Sequence, residues 1–424
     1  MSTESARQRN RWFSPRRAFA LSMAITGTAL MVGSGASAAT RPRAATGGGT
    51  ASHARSAASG PPTSLAGLCP NPVGIALDWA PEAEQAAYYG LAATTGGKID
   101  ASAKTYTAPL IDPFNGRRTG VDVRLYAGGP AVGYLHPEQV MYENSGVLIG
   151  AGETDTEVID YTRTPTIGIV APMRLLPTIL FWSPAKYHFS GIRAIGKTNV
   201  TVQYYQGSGY MDYLMAAGIL KKSQTFGGYT GSPARFVASG GSVVSQGFAT
   251  FEPYYYSHQL KEWDRPIAYQ LVQDVGYAPY NEAGYTKPQY LSKYAGCFRR
   301  LVPMIQESEI RYLQKPTPVS QLIVRLVNAY DIGKPYNLAI ANYTHQTVLA
   351  DRIESNPSTG AFGSFDMARV ARLIAQLKSS KTVTNLPASY GPSSLATNRF
   401  IDPNVKMTFY KGPYNDTSGV IIEK

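Results

Sequence analysis

The sequence predicts an α/β protein, a largely parallel sheet flanked by helices, with a helical C-terminal part. Three observations carry that expectation. From residue 73 onward, short apolar runs that end at glycine or polar residues alternate with helix-like segments, the pattern of βα units. The last third changes character, with apolar residues recurring at three- and four-residue spacing. Finally, a chain of 424 residues with 44% apolar and 16% charged side chains is long and greasy enough to bury a substantial core.

Taken in order, "VGIAL" (73–77) is a compact apolar run that stops at Asp78-Trp79. The alanine-rich "PEAEQAAYYGLAAT" (81–94) follows, opened by Pro81 and Glu82, both suited to a first helical turn. "AKTYTAPLI" and "GVDVRLYAGG" read as paired strands joined by the turn-rich "DPFNGRRTG". A helix is expected near 136–144. "GVLIGAGETD" (146–155) is again a strand running into small and polar residues. "TEVIDYT", "TIGIVAP" and "TILFWSP" continue the alternation to residue 184. "NVTVQYYQGSGYMDYLMAAGIL" (199–220) repeats the unit as strand, glycine-rich corner and helix. "ARFVASG", "GFATFEP" and "IAYQLVQD" come next, with "GFATFEP" read as a strand stopping at Glu252. "CFRRLVPMIQESEIRYLQ", "PVSQLIVRLVNAY" and "FDMARVARLIAQLKS" then supply amphipathic helices.

The first 64 residues read as an address and a spacer. Residues 1–38 have a basic start ending at Arg16-Arg17, an apolar stretch from Ala18 to Val32, and Ala36-Ser37-Ala38 as a cleavage site. Arg16-Arg17-Ala18-Phe19 resembles a twin-arginine signal, and the ordinary secretory route stays open. Residues 39–64 are Ala, Gly, Ser and Pro with a few arginines and form a flexible linker. No cysteine stands at the cleavage point, so no lipid anchor is expected. Export lets the two cysteines oxidise. A disulfide between Cys69 and Cys297 is expected, two separate buried thiols being the alternative.

The net charge of +12 is partly that of the address: the first 64 residues hold eight arginines against Glu4, leaving +5 for residues 65–424. No basic run interleaved with aromatics points to nucleic acid. There is no G-x-S-x-G elbow, no phosphate-binding glycine loop and no H-E-x-x-H. The five histidines (His53, His136, His188, His258, His345) stand at no metal-ligand spacing, so neither a metal nor a cofactor is expected.

What remains is a recognition surface. In parallel α/β sheets, ligands sit beyond the carboxyl ends of the strands. Those positions hold Asp78-Trp79, Gly128-Gly129, Thr154-Asp155, Gln206 to Gly209 and Glu252-Pro253-Tyr254. Gly207 and Ser208 open a helix whose free N–H groups suit an anion. Asp78, Glu82, Asp155 and Glu252 suit an amine or hydroxyl. Trp79 offers a flat stacking face, and one of Tyr88 and Tyr89 should turn toward the core. Tyrosine is abundant, at 29 against 14 Phe and 4 Trp, and "FEPYYY" (251–256) stacks three phenols beside a carboxylate. A phenol serves walls that are apolar and hydrogen-bonding at once.

"LDWAPEAEQAAYYG", "GGPA", "GAGETDTE", "YYQGSGYMDYLMAAGIL" and "SQGFATFEPYYY" occur in an order that resembles periplasmic-type solute-binding proteins of ABC importers. Within these, the chain is most similar to the group named for thiamine-pyrimidine binding, related to nitrate, sulfonate and riboflavin binders. The likeness covers roughly residues 70–330. It implies the type II periplasmic-binding-protein fold: two lobes on a hinge of two crossovers, with 70–171 plus 277–424 as lobe one and 172–276 as lobe two. It also implies one cleft collecting Asp78, Trp79, Asp155, Ser208, Tyr210, Glu252 and Tyr254, with Glu252 orienting the ligand or latching the lobes; Glu82, Tyr88 and Gly207, read from the residues themselves, complete the expected ligand-binding set. Glu82 and Gln85 stand where the family's opening motif has Asn and His, which argues against a pyrimidine precursor. The absence of that histidine and of a cysteine cluster also argues against the pyridoxal-phosphate-dependent enzyme branch.

The expected function is therefore capture of a small organic ligand outside the cell and delivery to an ABC permease, by a monomer that is not an enzyme. An amine-bearing metabolite or an aromatic heterocycle would suit both the acids and the helix start. An exported hydrolase or transferase, or an extracellular sensor, is the alternative.

Overall fold

The computed structural model describes residues 64–333, 335–358, 360–409 and 421–422, all within one unit, Ala57–Lys424. The expected signal and nearly all of the linker lie outside the described residues. Among those described, no helix is long and apolar enough to cross a membrane.

Two separate sheets organise the chain. The first holds β1 (Val73–Leu77), β2 (Lys98–Asp100), β3 (Thr105–Ile111), β4 (Arg118–Tyr126), β5 (Val147–Gly152), β6 (Ile167–Val170) and β12 (Ala283–Thr286), in the order β2-β3-β4-β1-β5-β12-β6. The second holds β7 (Thr178–Trp182), β8 (Val202–Gln203), β9 (Thr225–Phe226), β10 (Val244–Phe248), β11 (Ala268–Leu271) and β13 (Ile421–Ile422), in the order β13-β11-β7-β10-β8-β9. Each sheet is clothed by helices, giving two α/β lobes and a helical C-terminal part.

Both sheets are mixed, which corrects the largely parallel sheet expected from βα alternation. Only β1–β4, β1–β5, β8–β10 and β8–β9 run parallel. The short turn between β3 and β4 makes that pair antiparallel, as a hairpin must. β12, returning from the other lobe, runs antiparallel to both β5 and β6, and within the second sheet β11 runs antiparallel to β7. β1 and β5 are buried along their whole length, which explains their unbroken apolar runs.

The chain passes between the sheets after β6 and returns after β11. β13 adds a passage that the two-crossover expectation lacks, pairing antiparallel with Ala268 and Tyr269. The C-terminal helices serve both lobes. Those at Ala295–Gln314 and Thr317–Tyr330 bury Phe298, Leu301, Ile305, Leu322 and Leu326 against the first sheet. The helix Met367–Ser379, capped by the Asp366 carboxylate, instead buries Val370, Leu373 and Leu377 with Trp182, Val202 and Leu214 beside the second.

Two local expectations change. The segment 81–94 forms only a 3-10 turn, Ala83–Gln85, and a single α-turn, Ala86–Tyr89. Tyr88 and Tyr89 are both buried, because this short turn is enclosed by the sheet and the helix Ala295–Gln314. "FEPYYYSH" begins a helix, Glu252–His258, with Glu252 and Pro253 in its first turn.

The Cys69–Cys297 disulfide is present, with Cα atoms 4.9 Å apart across 228 residues of sequence. It fixes the edge of the folded chain to the start of a core helix. Closing so long a loop restricts the unfolded chain strongly. The double variant Cys69→Ser/Cys297→Ser should lose about 2–5 kcal/mol of stability, read as a lower urea midpoint at unchanged slope. A midpoint indistinguishable from wild type would show that the bond contributes nothing.

Candidate functional site

A cavity of about 620 Å³ lies between the two lobes. Residues following β1, β4 and β5 line it from the first sheet, and residues following β8, β9 and β10 from the second. Asn281 and Glu282, on the return passage, and the segment around Ile332–Gly333, from the C-terminal part, complete the lining.

Of the residues expected from sequence, Asp78, Trp79, Glu82, Asp155, Gly207, Ser208 and Glu252 are on the cavity wall. Tyr88, Tyr210 and Tyr254 are not. Tyr88 is fully buried, its hydroxyl donating to the Glu282 carbonyl at 2.7 Å. Tyr210 stands one layer back: its hydroxyl donates to Gln246 Oε1 at 2.6 Å, and the same oxygen accepts from the Tyr205 N–H at 2.9 Å. It thus orients a cleft glutamine without touching the cleft. Tyr254 turns to the first core, its ring 5.3 Å from Tyr343 and stacked on His258 at 4.5 Å.

The three tyrosines diverge because successive helical residues point about 100° apart. Tyr255, stacked on Phe251 at 5.2 Å, is the one that reaches the cleft. Tyr256 is buried among Phe181, Phe236 and Trp263. The run is therefore one wall residue and two anchors, where sequence suggested a wall of three.

Glu252 is only 7% exposed and accepts from the Phe248 N–H at 2.6 Å and the Tyr229 hydroxyl at 3.4 Å. All these partners belong to its own lobe. A bond that joins the lobes is made instead by Glu84, whose Oε1 accepts from the Thr250 hydroxyl at 2.5 Å. The Thr250 carbonyl in turn accepts from Thr344, on the helix Leu338–Ala350. Aromatic rings also meet across the cleft: Trp79 is 5.8 Å from Tyr134, which is 6.3 Å from Tyr205 of the other lobe. Trp79 lies against Gly129, at φ 57°, where a Cβ would come within 2.9 Å of the indole.

Sequence reasoning missed Glu84, Tyr134, His136, Glu153, Tyr205, Tyr229, Gln246 and Glu282, all on the wall. Glu84 and Glu153 sit inside the quoted motifs, each one or two residues from an expected position. Glu282 has no local signal, standing on a connection with φ 48°.

Seven carboxylates line the cavity, against one basic side chain, His136, among the described residues. Burial pushes Glu84 and Glu252 up to about 7, in spite of the hydrogen bonds each accepts. Burial raises Glu153 and Glu282 well above the usual carboxylate range, and the neighbouring charges of Asp155 and Asp78 add to it. Burial also raises Asp155, with the Tyr277 hydroxyl at 2.7 Å opposing. His136 is a different case. Burial lowers it, but hydrogen bonds to Asp160 at 2.9 Å and to Glu138 prevail and lift it to about 10. Its charge is thus held by carboxylates behind the wall. Asp78, Glu82 and Glu282 present oxygens within 4.8 Å of one another, close enough to share one bound cation. Gln85 donates to Asp78 Oδ1 at 2.8 Å.

Two α/β lobes, linked by crossing connections, meet over a polar and aromatic cleft. Solved structures to which the chain is similar include periplasmic binding proteins. The alkanesulfonate-binding protein SsuA from Xanthomonas axonopodis pv. citri, bound to MOPS, is 9% identical over 75% of this chain and 96% of its own, with a TM-score of 0.45. The periplasmic nitrate-binding protein NrtA from Synechocystis PCC 6803 is 12% identical over 78% and 88%, with a TM-score of 0.45. The zinc-bound ligand-binding component of an ABC-type import system from Staphylococcus aureus is 8% identical over 79% and 99%, with a TM-score of 0.49. No family model and no curated protein matches the sequence.

Because burial raises Glu84, the folded protein holds its proton more tightly than the unfolded chain does. That contribution is complete below the ordinary carboxylate value of 4.5 and is lost as the pH rises through about 7. Glu84→Gln, neutral at every pH, should therefore gain in melting temperature relative to wild type between pH 4.5 and about 8. A constant difference across that range would refute the buried-carboxyl assignment.

Gly247 offers a second test, since a Cβ there would stand 2.7 Å from the Glu252 carboxyl. Gly247→Ala should displace that side chain and cost about 1–3 kcal/mol by overpacking. Equal stability in a denaturant titration would mean that the turn has slack.

Proposed function

We propose that the chain is an exported solute-binding protein that captures a small organic ligand between its lobes and delivers it to an ABC importer. The observation that carries this reading is the composition of the cavity wall: both lobes contribute to one space of about 620 Å³. That is the size range of small-molecule sites. The Glu84–Thr250 bond and the Trp79–Tyr134–Tyr205 ring series span it. Closing such a cleft over a ligand removes water, so each polar contact counts for more than at an open surface.

The importer as recipient rests on the motif resemblance, and export on the signal-like residues 1–38. A monomer working without catalysis suits such a carrier. The raised carboxyls of Glu84 and Glu252 lend some support to acid–base catalysis in the same cleft. The two readings part on what leaves the protein.

Residues 39–424, expressed in an export-competent host, should carry one small molecule per chain in native mass spectrometry. That molecule should be released unchanged on denaturation. Recovery of a chemically altered product on incubation with the released molecule would favour the enzyme. An empty chain that no small molecule stabilises against heat would count against capture altogether.

A further inference from the structure

The charge layout of the cleft says more about its occupant. The acids are not spread over an open surface, where solvent would mask them. Glu84 is 6% exposed and Asp155 3% exposed, and both line the cavity. Each keeps one oxygen without a hydrogen-bond partner, Oε2 of Glu84 and Oδ1 of Asp155. A buried acceptor left in that state is costly. Something bearing N–H or O–H donors is needed to satisfy it.

The positions that would favour an anion are already engaged. His136 is bonded to Asp160 and Glu138. At the glycine-rich corner, the Ser208 hydroxyl donates to the Tyr205 carbonyl at 2.8 Å. Beside it, the start of the helix Gly209–Ala216 faces the protein's own Asp155: a Cβ on Gly209 would stand 3.0 Å from that carboxylate. The positive end of the helix thus has a negative group against it. Strong cations do line a cavity elsewhere, where Arg174 and Arg352 border a space of about 450 Å³. The interlobe cleft has none among its described residues.

The same cavity wall carries the rings of Trp79 and Tyr134, with Tyr205 of the other lobe 6.3 Å from Tyr134. The face of an indole or phenol attracts a cation, and more strongly when water is excluded. A cavity that combines carboxylates with π faces suits a protonated amine on both counts, its N–H groups matching the acceptors and its charge matching the rings.

We infer that the ligand of this cleft is a small organic cation carrying a protonated amine, held by N–H donation to Glu84 and Asp155 and by the Trp79–Tyr134 rings. This inference rests on the capture reading above and narrows it to one chemical class. It excludes free sulfonates and nitrate. It also separates protonated amines from quaternary ammonium ions, which carry the charge without an N–H.

The test combines identification with selection. The molecule released from residues 39–424 is identified by mass spectrometry. The emptied protein is then titrated by calorimetry with agmatine, tyramine and cadaverine as protonated amines, choline as a quaternary ion, and ethanesulfonate and nitrate as anions. The expected result is a released amine, saturable binding of at least one amine, and no binding of either anion. Choline should bind at least about tenfold more weakly than that amine. Glu84→Gln should weaken amine binding by about tenfold or more, with an unchanged circular dichroism spectrum. A released anion or neutral compound, or saturable binding of ethanesulfonate or nitrate, overturns this inference while leaving capture intact. Choline binding as tightly as the amines overturns the role given to the unsatisfied oxygens. A protein that releases nothing and binds none of the six overturns both this inference and the capture reading.

Discussion

A carboxylate withdrawn from water has few stable outcomes: it keeps its proton, finds donors, or meets an opposite charge. The centre of this molecule is organised around that constraint. Glu252 finds donors within its own lobe, at Phe248 and Tyr229. Glu84 finds one across the cleft, at Thr250. Asp155 is met by Tyr277, and Asp160 meets the positive charge of His136. Each solution fixes a backbone segment at a strand end, so the shape of the cleft and the state of its acids cannot be separated.

Topology decides where those strand ends meet. A chain that leaves one sheet after β6 and re-enters it at β12 must bring two sheets together along the connecting passages. The polar residues that terminate β1 and β5 then face those that terminate β8 and β10. The C-terminal helices brace both sides: Thr344 holds Thr250 from one, and the helix Met367–Ser379 packs beside the second sheet. Rigid placement of this kind lets a few side chains discriminate, because little has to be ordered when the ligand arrives.

Much of this was legible in the sequence. The ends of β1 and β5 were readable because apolar runs break abruptly at Asp78 and Glu153, and the late helices because their apolar spacing repeats over several turns, whereas β10 ends at Phe248, four residues before the expected stop at Glu252. Seven of the ten expected site residues reached the wall on that basis. The helix Glu252–His258 was not readable, since seven residues show no helical period and three tyrosines favour a strand reading. Strand direction was hidden as well, because β12 pairs with strands more than 100 residues earlier only after the chain has crossed to the second sheet and back. Glu282 carried no signal, since its position depends on a connection folding beneath strand ends that lie more than 100 residues away in sequence, such as Asp78 and Glu153.

One peripheral feature has a bearing on solubility. β11 would be the outer strand of the second sheet, presenting its unpaired N–H and C=O groups, were it not for the two residues of β13 laid alongside it. An open strand edge is a template for another chain. Ile421 and Ile422 thus act as a guard rail on part of an adhesive border, and removing them would bare Ala268 and Tyr269 of β11 to strands from a neighbour.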